Sequence, residues 1–371
     1  MIGKIRGERA TILITALWIV SILAVFAVSI GRQSALSLKL TSYDVDHLKA
    51  YFLARAGMMR ALAQKNLEYK GDLSIDIDAL NESWANNEEL FKDHKFGDGE
   101  YTIGYEYLLS QSYEEKPPMI YGLLDEQSKI NINFASKETI ANLLEITGVE
   151  RTESESIAAA ILDWRDEDQT TTSAQEGGYI GAENDYYADL IPAYECKNAN
   201  FDVLDELLFV RGMTAEMLVG IREYITVYGE GRVNINTASD TALGAVFGPA
   251  FPNLASKILG YRHGNDDIVG SADDRWFSDG PYTIDREEAG LVEIKNLQEA
   301  DWYANIYGIM TEEYTRIKEV ALGQNPQLGV NSNTYRVIAN AKVNKVKVSI
   351  DAVYMFEDTN KPPKTLFWYQ E

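Results

Sequence analysis

The residues from Asp163 to Glu195 include the side chains best suited to bind a metal ion. Nine carboxylates stand there against one base, Arg165. Asp166 and Asp168 are spaced as alternate ligands of a loop, and a second polar group follows a glycine-rich bend at residues 177–181. Oxygen ligands without His or Cys favour Ca²⁺, which takes about six to eight oxygens in flexible loops. The candidate ligands are Asp163, Asp166, Asp168, Glu183, Asn184 and Asp185. Their spacing is not that of an EF-hand, so the residues alone predict either a calcium site or a solvated acidic loop.

Catalytic chemistry is not indicated by any recognised motif. The sequence contains no Gly-x-Ser-x-Gly, His-Glu-x-x-His or Walker pattern, and its three histidines, His47, His94 and His263, are scattered. The single cysteine, Cys196, excludes an intramolecular disulfide. No catalytic residue is therefore assigned. The abundance of acids leaves one enzymatic alternative, an envelope-anchored hydrolase that uses paired carboxylates or metal-bound water.

The N-terminus predicts a membrane-spanning helix. Residues Ala10 to Gly31 are uncharged, and such a segment forms a helix of roughly 33 Å, the thickness of a bilayer core. Lys4, Arg6 and Arg9 precede it. Because positive charge stays on the cytoplasmic side, the bulk of the chain is expected to face outward.

The sequence after the span predicts that the same helix continues. No proline occurs before Pro117. Apolar residues recur at helical spacing at Val45, Leu48, Phe52, Ala56, Met59 and Ala63. We therefore expect one long helix, amphipathic beyond the membrane and ending near Leu67 to Lys70. An ordinary signal anchor that carries a soluble domain is the alternative.

An internal repeat marks the middle of the chain. Lys129 to Ile140 reads KININFASKETI, and Arg232 to Leu243 reads RVNINTASDTAL. Each copy predicts a short extended piece followed by a helix that Ser136 or Ser239 caps. A similar helical hairpin is expected over residues 207–225, so the region from Lys129 to about Gly323 is predicted to be mostly α.

These hairpins resemble helix-hairpin-helix modules, many of which bind DNA. The charge argues against that use here. The net charge is −23, and Glu150, Glu153 and Glu155 follow the first turn. Nucleic acid requires basic contacts to its phosphates, so we expect no nucleic-acid partner, and a membrane-anchored DNA-uptake protein remains an alternative only.

Strands are predicted on both sides of this helical region. Before it, a Gly-Asp-Gly turn opens the alternating segment Gly97 to Tyr107, and Met119 to Leu124 is strand-like. After it, the strand-like segments are Tyr335 to Ala339, Val346 to Tyr354 and Leu366 to Tyr369. The fold class predicted from these elements is α+β, with a helix and a small sheet interrupted by a large α insertion.

The ordered set of these features resembles the minor pseudopilin K family of the type II secretion system (GspK). The matching segments are RGERATILITALWIV, DWRDED followed by GAENDYY, FDVLDELLFVRGM, VNINTAS and the closing LFWYQE. The resemblance implies a pilin-like fold with a long N-terminal transmembrane helix and a small antiparallel sheet. It also implies an all-α insertion of helical-hairpin modules similar to SAM or helix-hairpin-helix units, and calcium in that insertion.

The resemblance also implies a division of the chain. A prepilin leader would occupy residues 1–10, and the long helix residues 11–70 with its transmembrane segment at 11–31. The sheet domain would begin at 71–128 and be completed by 326–371. The insertion would occupy 129–325, with the acidic loop at 163–195.

Processing by prepilin peptidase follows from the same resemblance. Alignment of the apolar run places the cut between Ala10 and Thr11, with methylation of Thr11, whereas family leaders usually end in glycine, for which Gly7 is available. Ordinary pilins carry a glutamate at mature position five, which here is Thr15. A subunit without that buried acid has no partner for the next subunit's amine, and an unpaired buried charge is costly. The resemblance therefore implies a place at the filament tip.

The implied role is structural and not enzymatic. The protein would cap a periplasmic pseudopilus that helps to export folded proteins across the outer membrane. It would cross the inner membrane once, with a cytoplasmic N-terminus and a periplasmic bulk. The implied partners are the minor pseudopilins I and J, the major pseudopilin, the inner-membrane assembly platform, prepilin peptidase and exported substrates.

Overall fold

The computed structural model of the protein describes residues 2–69, 77–108, 117–172, 181–278, 292–293, 309–357 and 361–371. For residues 2–11, 68–69 and 292–293 it describes the backbone alone.

A single helix, α1, runs from Ile2 to Tyr69. Its N-terminal part contains a window of mean hydropathy 2.6 that no other part of the protein buries, so among the described residues one helix is long and apolar enough to cross a membrane. The predicted continuation of the helix past the span is confirmed as far as Tyr69, because no proline interrupts the sequence. The predicted end near Leu67 to Lys70 lies at the border of the described residues.

The distal part of α1 packs on the sheet through small and apolar side chains. Ala50, Leu53, Ala54, Met58 and Ala61 are buried against it. Gly57 is required there, since a Cβ at this position would overlap the ring of Tyr101. The apolar residues that the sequence singled out lie on the opposite side of the helix and are exposed.

The remaining elements are short in the insertion and longer in the sheet. The other α-helices are α2 (Glu88–Phe91), α3 (Lys137–Ile146), α4 (Arg151–Arg165), α5 (Asn184–Ala188), α6 (Ala215–Ile221), α7 (Asp240–Phe247), α8 (Leu254–Arg262) and α9 (Thr311–Leu322). The strands are β1 (His94–Phe96), β2 (Gly99–Ile103), β3 (Tyr105–Glu106), β4 (Met119–Ile120), β5 (Leu124–Asp125), β6 (Ile130–Asn131), β7 (Ile225–Thr226), β8 (Val233–Asn234), β9 (Phe277–Ser278), β10 (Val292–Glu293), β11 (Leu328–Gly329), β12 (Thr334–Val343), β13 (Val346–Met355) and β14 (Lys364–Gln370).

The main sheet is antiparallel, with strand order β1-β2-β12-β13-β14 and β5 beside the start of β12. The alternating burial of β12 and β13 turns one face toward α1. Trp84 and Tyr335 are fully buried between helix and sheet, with ring centroids 4.9 Å apart. The predicted strands on both sides of the insertion are thereby confirmed, as are the long apolar helix and the α+β class.

The insertion lies between β5 and β12 and has its own hydrophobic core. It is dominated by helices α3 to α9, but it is not entirely helical. The extended Asn-Ile-Asn segments expose backbone groups that need partners, and they obtain them from two-residue parallel pairings of β6 with β7 and of β8 with β11. The prediction of an all-α insertion is corrected to this extent. The first half of the predicted hairpin at 207–225 is a 3₁₀-helix, Leu204–Phe209.

The sequence repeat is a structural repeat. Asn133 donates to the carbonyl of Phe201 at 3.0 Å and accepts from its amide at 2.7 Å. Asn236 forms the same two bonds with Phe277, at 3.0 and 2.7 Å. Ser136 and Ser239 accept from the third amide of their helices, at 3.0 and 3.2 Å, as predicted for N-caps.

Candidate metal centre

Two helix ends bring the acidic side chains of the loop together. Helix α4 begins at a cap formed by Glu150, whose carboxylate accepts from the amides of Thr152 and Glu153. The helix ends at Arg165, so Asp166 is its C-cap and Asp168 follows in the loop. Glu183 is the residue before the first turn of α5. The chain therefore presents acids from one helix C-terminus to an acid at the next helix N-terminus.

Asp166, Asp168 and Glu183 form one cluster. One carboxylate oxygen of each lies within 4.8 Å of the others. Glu183 is buried, Asp166 is half-buried and Asp168 is exposed. The cluster is thus open to solvent on the Asp168 side and closed on the Glu183 side, which is an arrangement that a cation can enter.

The carboxyl groups of the cluster destabilise one another's charge. Burial, reinforced by Asp163, Asp166 and Asp168, raises the pKa of Glu183 to about 7. Burial, reinforced by Asp168 and Asp163, also raises the pKa of Asp166. A pKa that is raised by like charges marks a site where a cation would be favourable.

Several buried oxygens here have no hydrogen-bond partner among the described residues. They are both carboxylate oxygens of Glu183, Oδ1 of Asp166 and Oδ2 of Asp163. Buried polar atoms normally have a hydrogen-bond partner or a counter-ion, and a cation bound here would supply one to the oxygens of Asp166 and Glu183. The donor set consists of hard oxygens, so it fits Ca²⁺.

Asp163 lies outside the cluster of three and holds the loop in place. It is fully buried, and its Oδ1 accepts from the amide of Thr172 at 2.9 Å. Gly181 is required beside it, because a Cβ there would collide with the Asp163 carboxylate. Asp163 therefore contributes negative charge to the site. Through Thr172 and Gly181 it also joins the segment after α4 to the segment before α5.

Asn184 and Asp185, also predicted as ligands, are not part of the cluster of three. The amide of Asn184 donates to Gln169 at 2.9 Å and accepts from the backbone of Cys196 at 2.7 Å. Asp185 is exposed in the first turn of α5. The structure thus uses Asn184 to tie the two sides of the loop together.

Asn198 is a candidate ligand that sequence reasoning missed. Its Nδ2 donates to the carbonyl of Asp168 at 3.1 Å, and its buried Oδ1 has no partner among the described residues. Its backbone is in the left-handed region, with φ 47°, which asparagine tolerates better than most residues. The only signal in the sequence was an Asn after the acidic segment, which spacing does not distinguish from a turn.

The basic side chains near the loop are committed elsewhere. Arg165 donates to the backbone carbonyls of Ile132 and Ala135. Arg211 donates to the carbonyl of Gly181 at 3.1 Å and stacks on the ring of Tyr186. These cations hold the backbone around the acidic cluster and leave its carboxylates to another counter-ion.

The residues predicted for processing lie at the start of the long helix. Ala10 and Thr11 are within α1 by their backbone, and their side chains lie outside the described ones. Thr15 is exposed, and its hydroxyl donates to the carbonyl of Ile12 at 2.9 Å. Position 15 therefore presents no charge that would need a partner in the membrane.

The comparisons with known proteins agree on one family. The family model described as type II secretion system (T2SS), protein K, matches residues 121–230. The type II secretion system protein K of Pseudomonas aeruginosa is 24% identical over 260 residues, which cover 69% of this chain and 73% of the relative. The protein of the same name from Aeromonas hydrophila is 27% identical over 239 residues, covering 62% of this chain and 68% of the relative.

A solved structure supports the fold over most of the length. A chain of the crystal structure of the GspK-GspI-GspJ complex from the enterotoxigenic Escherichia coli type 2 secretion system matches with a TM-score of 0.59 and 15% identity. The match covers 89% of this chain and 99% of that chain. At 15% sequence identity, the similarity between the two structures establishes the fold alone.

Proposed function

We propose that this chain, a member of the type II secretion system protein K family, is a minor pseudopilin in the tip complex of the periplasmic pseudopilus. The proposal rests on the order of three parts of the chain. A membrane-spanning helix is followed by a pilin-like sheet, and the protein K domain interrupts that sheet. The solved structural relative belongs to a complex of GspK with GspI and GspJ. The proposed partners are accordingly the minor pseudopilins I and J.

The helix supports inner-membrane anchoring. Its basic start, with Lys4, Arg6 and Arg9, keeps the N-terminus in the cytoplasm. The sheet and the insertion then lie in the periplasm. Prepilin peptidase would cut between Ala10 and Thr11. Because Thr15 is uncharged, the subunit would offer no buried acid to the amine of a further subunit, as expected at the tip of the filament.

The insertion supports a structural role and not a catalytic one. It is a predominantly helical domain that stands beside the pilin-like sheet, and its bulk favours the end of a filament over the interior. Its acidic cluster has the composition of a calcium site and contains no nucleophile paired with a base. The protein thus acts by assembling with other subunits and by offering them a binding surface.

Calcium is part of the proposal. Asp166, Asp168 and Glu183 would hold the ion, with Asn198 Oδ1 as a further neutral oxygen. A bound Ca²⁺ would balance the negative charge of these carboxylates. Asp163 orients the loop through Thr172 and packs against Gly181, so the ligands of α4 and α5 are kept at one place.

Two measurements on the full chain from native membranes test the proposal. Intact mass spectrometry should find a methylated Thr11 at the N-terminus, and affinity purification should recover the minor pseudopilins. A chain that retains Met1, or one cut beyond the apolar run near Ser29 to Ser34, would overturn it. Recovery of the chain without any other pseudopilin would overturn the assignment to a tip complex.

A further inference from the structure

The stretch of α1 that follows the membrane-spanning run is basic, although the protein as a whole is acidic. The net charge is −23, and the chain contains 57 acidic residues. None of these acids lies between Glu8 and Asp44. Beyond the uncharged run that ends at Gly31, the charged residues of this interval are Arg32 and Lys39, here called the basic pair. The helix therefore leaves the span with two positive charges and no negative charge beside them.

The two members of the basic pair lie on one side of the helix. Lys39 is seven residues beyond Arg32, which places the two side chains about 20° apart around the axis and about 10 Å apart along it. Both are exposed, and neither has an ion-pair or hydrogen-bond partner among the residues that the structure describes. Leu36, which is 59% exposed, lies between them along the helix. The basic pair thus offers two positive charges that no acid of this chain neutralises.

The position of the basic pair along the helix coincides with the headgroup layer of a bilayer. The uncharged run is long enough to cross the hydrocarbon core, so Arg32 stands at the outer edge of that core. Lys39 follows at about 12 Å beyond Gly31 along the helix. Side chains of an α-helix lean toward its N-terminus, which here is the direction of the membrane. The ammonium group of Lys39 therefore reaches back toward the lipid phosphates, while the guanidinium of Arg32 extends to them from the edge of the core.

The basic pair lies on the side of α1 that carries the sheet. Ala50, which is buried against the sheet, is 18 residues beyond Arg32, or about five full turns of the helix. The exposed apolar residues of the helix, such as Phe52, lie on the opposite side. The space beside the basic pair is therefore bounded by the bilayer on one side and by the sheet on the other. A lipid headgroup can occupy this space without competing for the opposite face of the helix.

We propose that the basic pair binds the headgroup phosphate of an anionic phospholipid in the periplasmic leaflet of the membrane. The charges are complementary, and a guanidinium donates two parallel hydrogen bonds to a phosphate. Leu36 would contact the upper part of the lipid between the two cations. The inference rests on the proposed function for the orientation of the chain in the membrane. It goes further by naming a ligand class and the two residues that recognise it.

Leader removal would increase the weight of the basic pair. A cut after Ala10 takes away Lys4, Arg6 and Arg9, the basic side chains on the cytoplasmic side of the span. The basic side chains next to the bilayer are then the two members of the basic pair, both on the periplasmic side. The processed subunit would accordingly be held at its periplasmic end by lipid headgroups until it leaves the membrane.

Native mass spectrometry of the full chain in lipid nanodiscs tests the proposal. The discs contain equal amounts of phosphatidylglycerol and phosphatidylcholine, and the measured quantity is the ratio of the two lipids that remain bound to the released protein. Each basic residue near an anionic surface favours it about fivefold, so Arg32→Gln with Lys39→Gln should lower the ratio about 25-fold. The leader is the same in both proteins, so its basic residues do not affect the comparison. A ratio unchanged by the double substitution would overturn the proposal.

The matched control removes two positive charges farther along the same helix. Lys49 and Arg55 are exposed and lie about 27 Å or more beyond Gly31, outside the reach of headgroup charge at physiological salt. Lys49→Gln with Arg55→Gln should leave the lipid ratio as it is in the unaltered chain. An equal fall in both double variants would show an effect of net charge alone and would contradict the proposal. Displacement of the phosphatidylglycerol by inorganic phosphate would assign the pair to a free anion and would contradict it as well.

Alkaline carbonate extraction of native membranes separates this inference from the proposed function. If the chain stays in the membrane and shows no preference for phosphatidylglycerol, only this inference fails. If carbonate releases the chain, α1 does not span the bilayer, and the membrane anchoring in the proposed function fails together with the lipid site.

Discussion

Arg165 and Arg262 hold equivalent positions in the two halves of the insertion. Each is the last residue of a helix, and each donates to two backbone carbonyls of its own copy of the repeat, one within the Asn-Ile-Asn segment and one at the alanine two residues after it. Arg165 reaches Ile132 and Ala135. Arg262 reaches the equivalent pair in the second copy, Ile235 at 3.0 Å and Ala238 at 2.8 Å. Each copy of the repeat therefore folds with an arginine side chain bound to the backbone at the start of the copy.

Replacing these arginines should affect stability to different degrees. Arg262 is 2% exposed and also donates to Tyr107 at 2.9 Å, so Arg262→Met leaves several buried acceptors without a donor and should cost about 3 kcal/mol. Arg165→Met, at a half-buried position, should cost about 1–2 kcal/mol. Denaturant unfolding of both variants measures this, with Arg151→Met as a control at an exposed site. Equal losses for Arg151→Met and Arg262→Met would contradict the assigned role.

Calcium should stabilise the protein through the acidic cluster. At a calcium concentration 100 times the dissociation constant, the gain in free energy of unfolding is about 2.7 kcal/mol. Glu183→Gln and Asp166→Asn should abolish most of this gain, whereas Asp189→Asn, outside the cluster, should preserve it. Thermal unfolding with and without a chelator is the measurement. A melting temperature indifferent to chelator would refute the calcium assignment.

His263 should make the protein less stable in mild acid. Burial, together with Arg262, lowers the pKa of this histidine from 6.5 to about 3. The unfolded chain therefore binds a proton between pH 6.5 and 3 that the folded chain does not bind, so this contribution to stability is lost as the pH falls through that window. At pH 5 the loss is about 2 kcal/mol.

The matched experiment for His263 compares unfolding free energies at pH 7.5 and pH 5. His263→Gln should show a smaller loss on acidification than the unaltered chain, with His47→Gln as the control for removing a histidine from another part of the molecule. An identical loss in all three proteins would show that His263 is not the group responsible.

The ion pair between Lys65 and Asp78 should join the long helix to the rest of the molecule. Both side chains are 4% exposed, and Asp78 also accepts from the amide of Ser332 at 2.6 Å. Lys65→Met leaves a buried carboxylate without its counter-ion and should cost about 3–5 kcal/mol. Adding Asp78→Asn to that variant should recover part of the loss, which a double-mutant cycle measures. Strict additivity of the two substitutions would argue against a direct pair.

The sequence was sufficient for the elements whose signals are local. The uncharged run and the absence of proline predicted α1, and Ser136 and Ser239 predicted two helix starts, which the structure confirms. The second half of the repeat was missed, although Ile-Leu-x-aromatic-Arg occurs in both copies at residues 161–165 and 258–262. Spacing does not reveal this second motif, because the two arginines lie at different distances from their Asn-Ile-Asn segments.

The site depended on contacts that sequence spacing does not encode. Asp166 and Asp168 were expected together because they are close in the chain, but the approach of Glu183 depends on the close packing of Gly181 against the carboxylate of Asp163. Asn198 becomes a candidate ligand through its left-handed backbone. The apolar periodicity of α1 predicted an amphipathic helix correctly, yet spacing alone did not tell which apolar face would be covered.

The insertion leaves and rejoins the sheet at neighbouring points. Asp125 in β5 lies opposite Tyr335 in β12, so residues 126–333 depart and return across a single strand pair. A short turn could close that gap without changing the register of any other strand. The helical domain therefore contributes no strand to the main sheet, and the strand order and register of that sheet are set entirely by the chain outside residues 126–333.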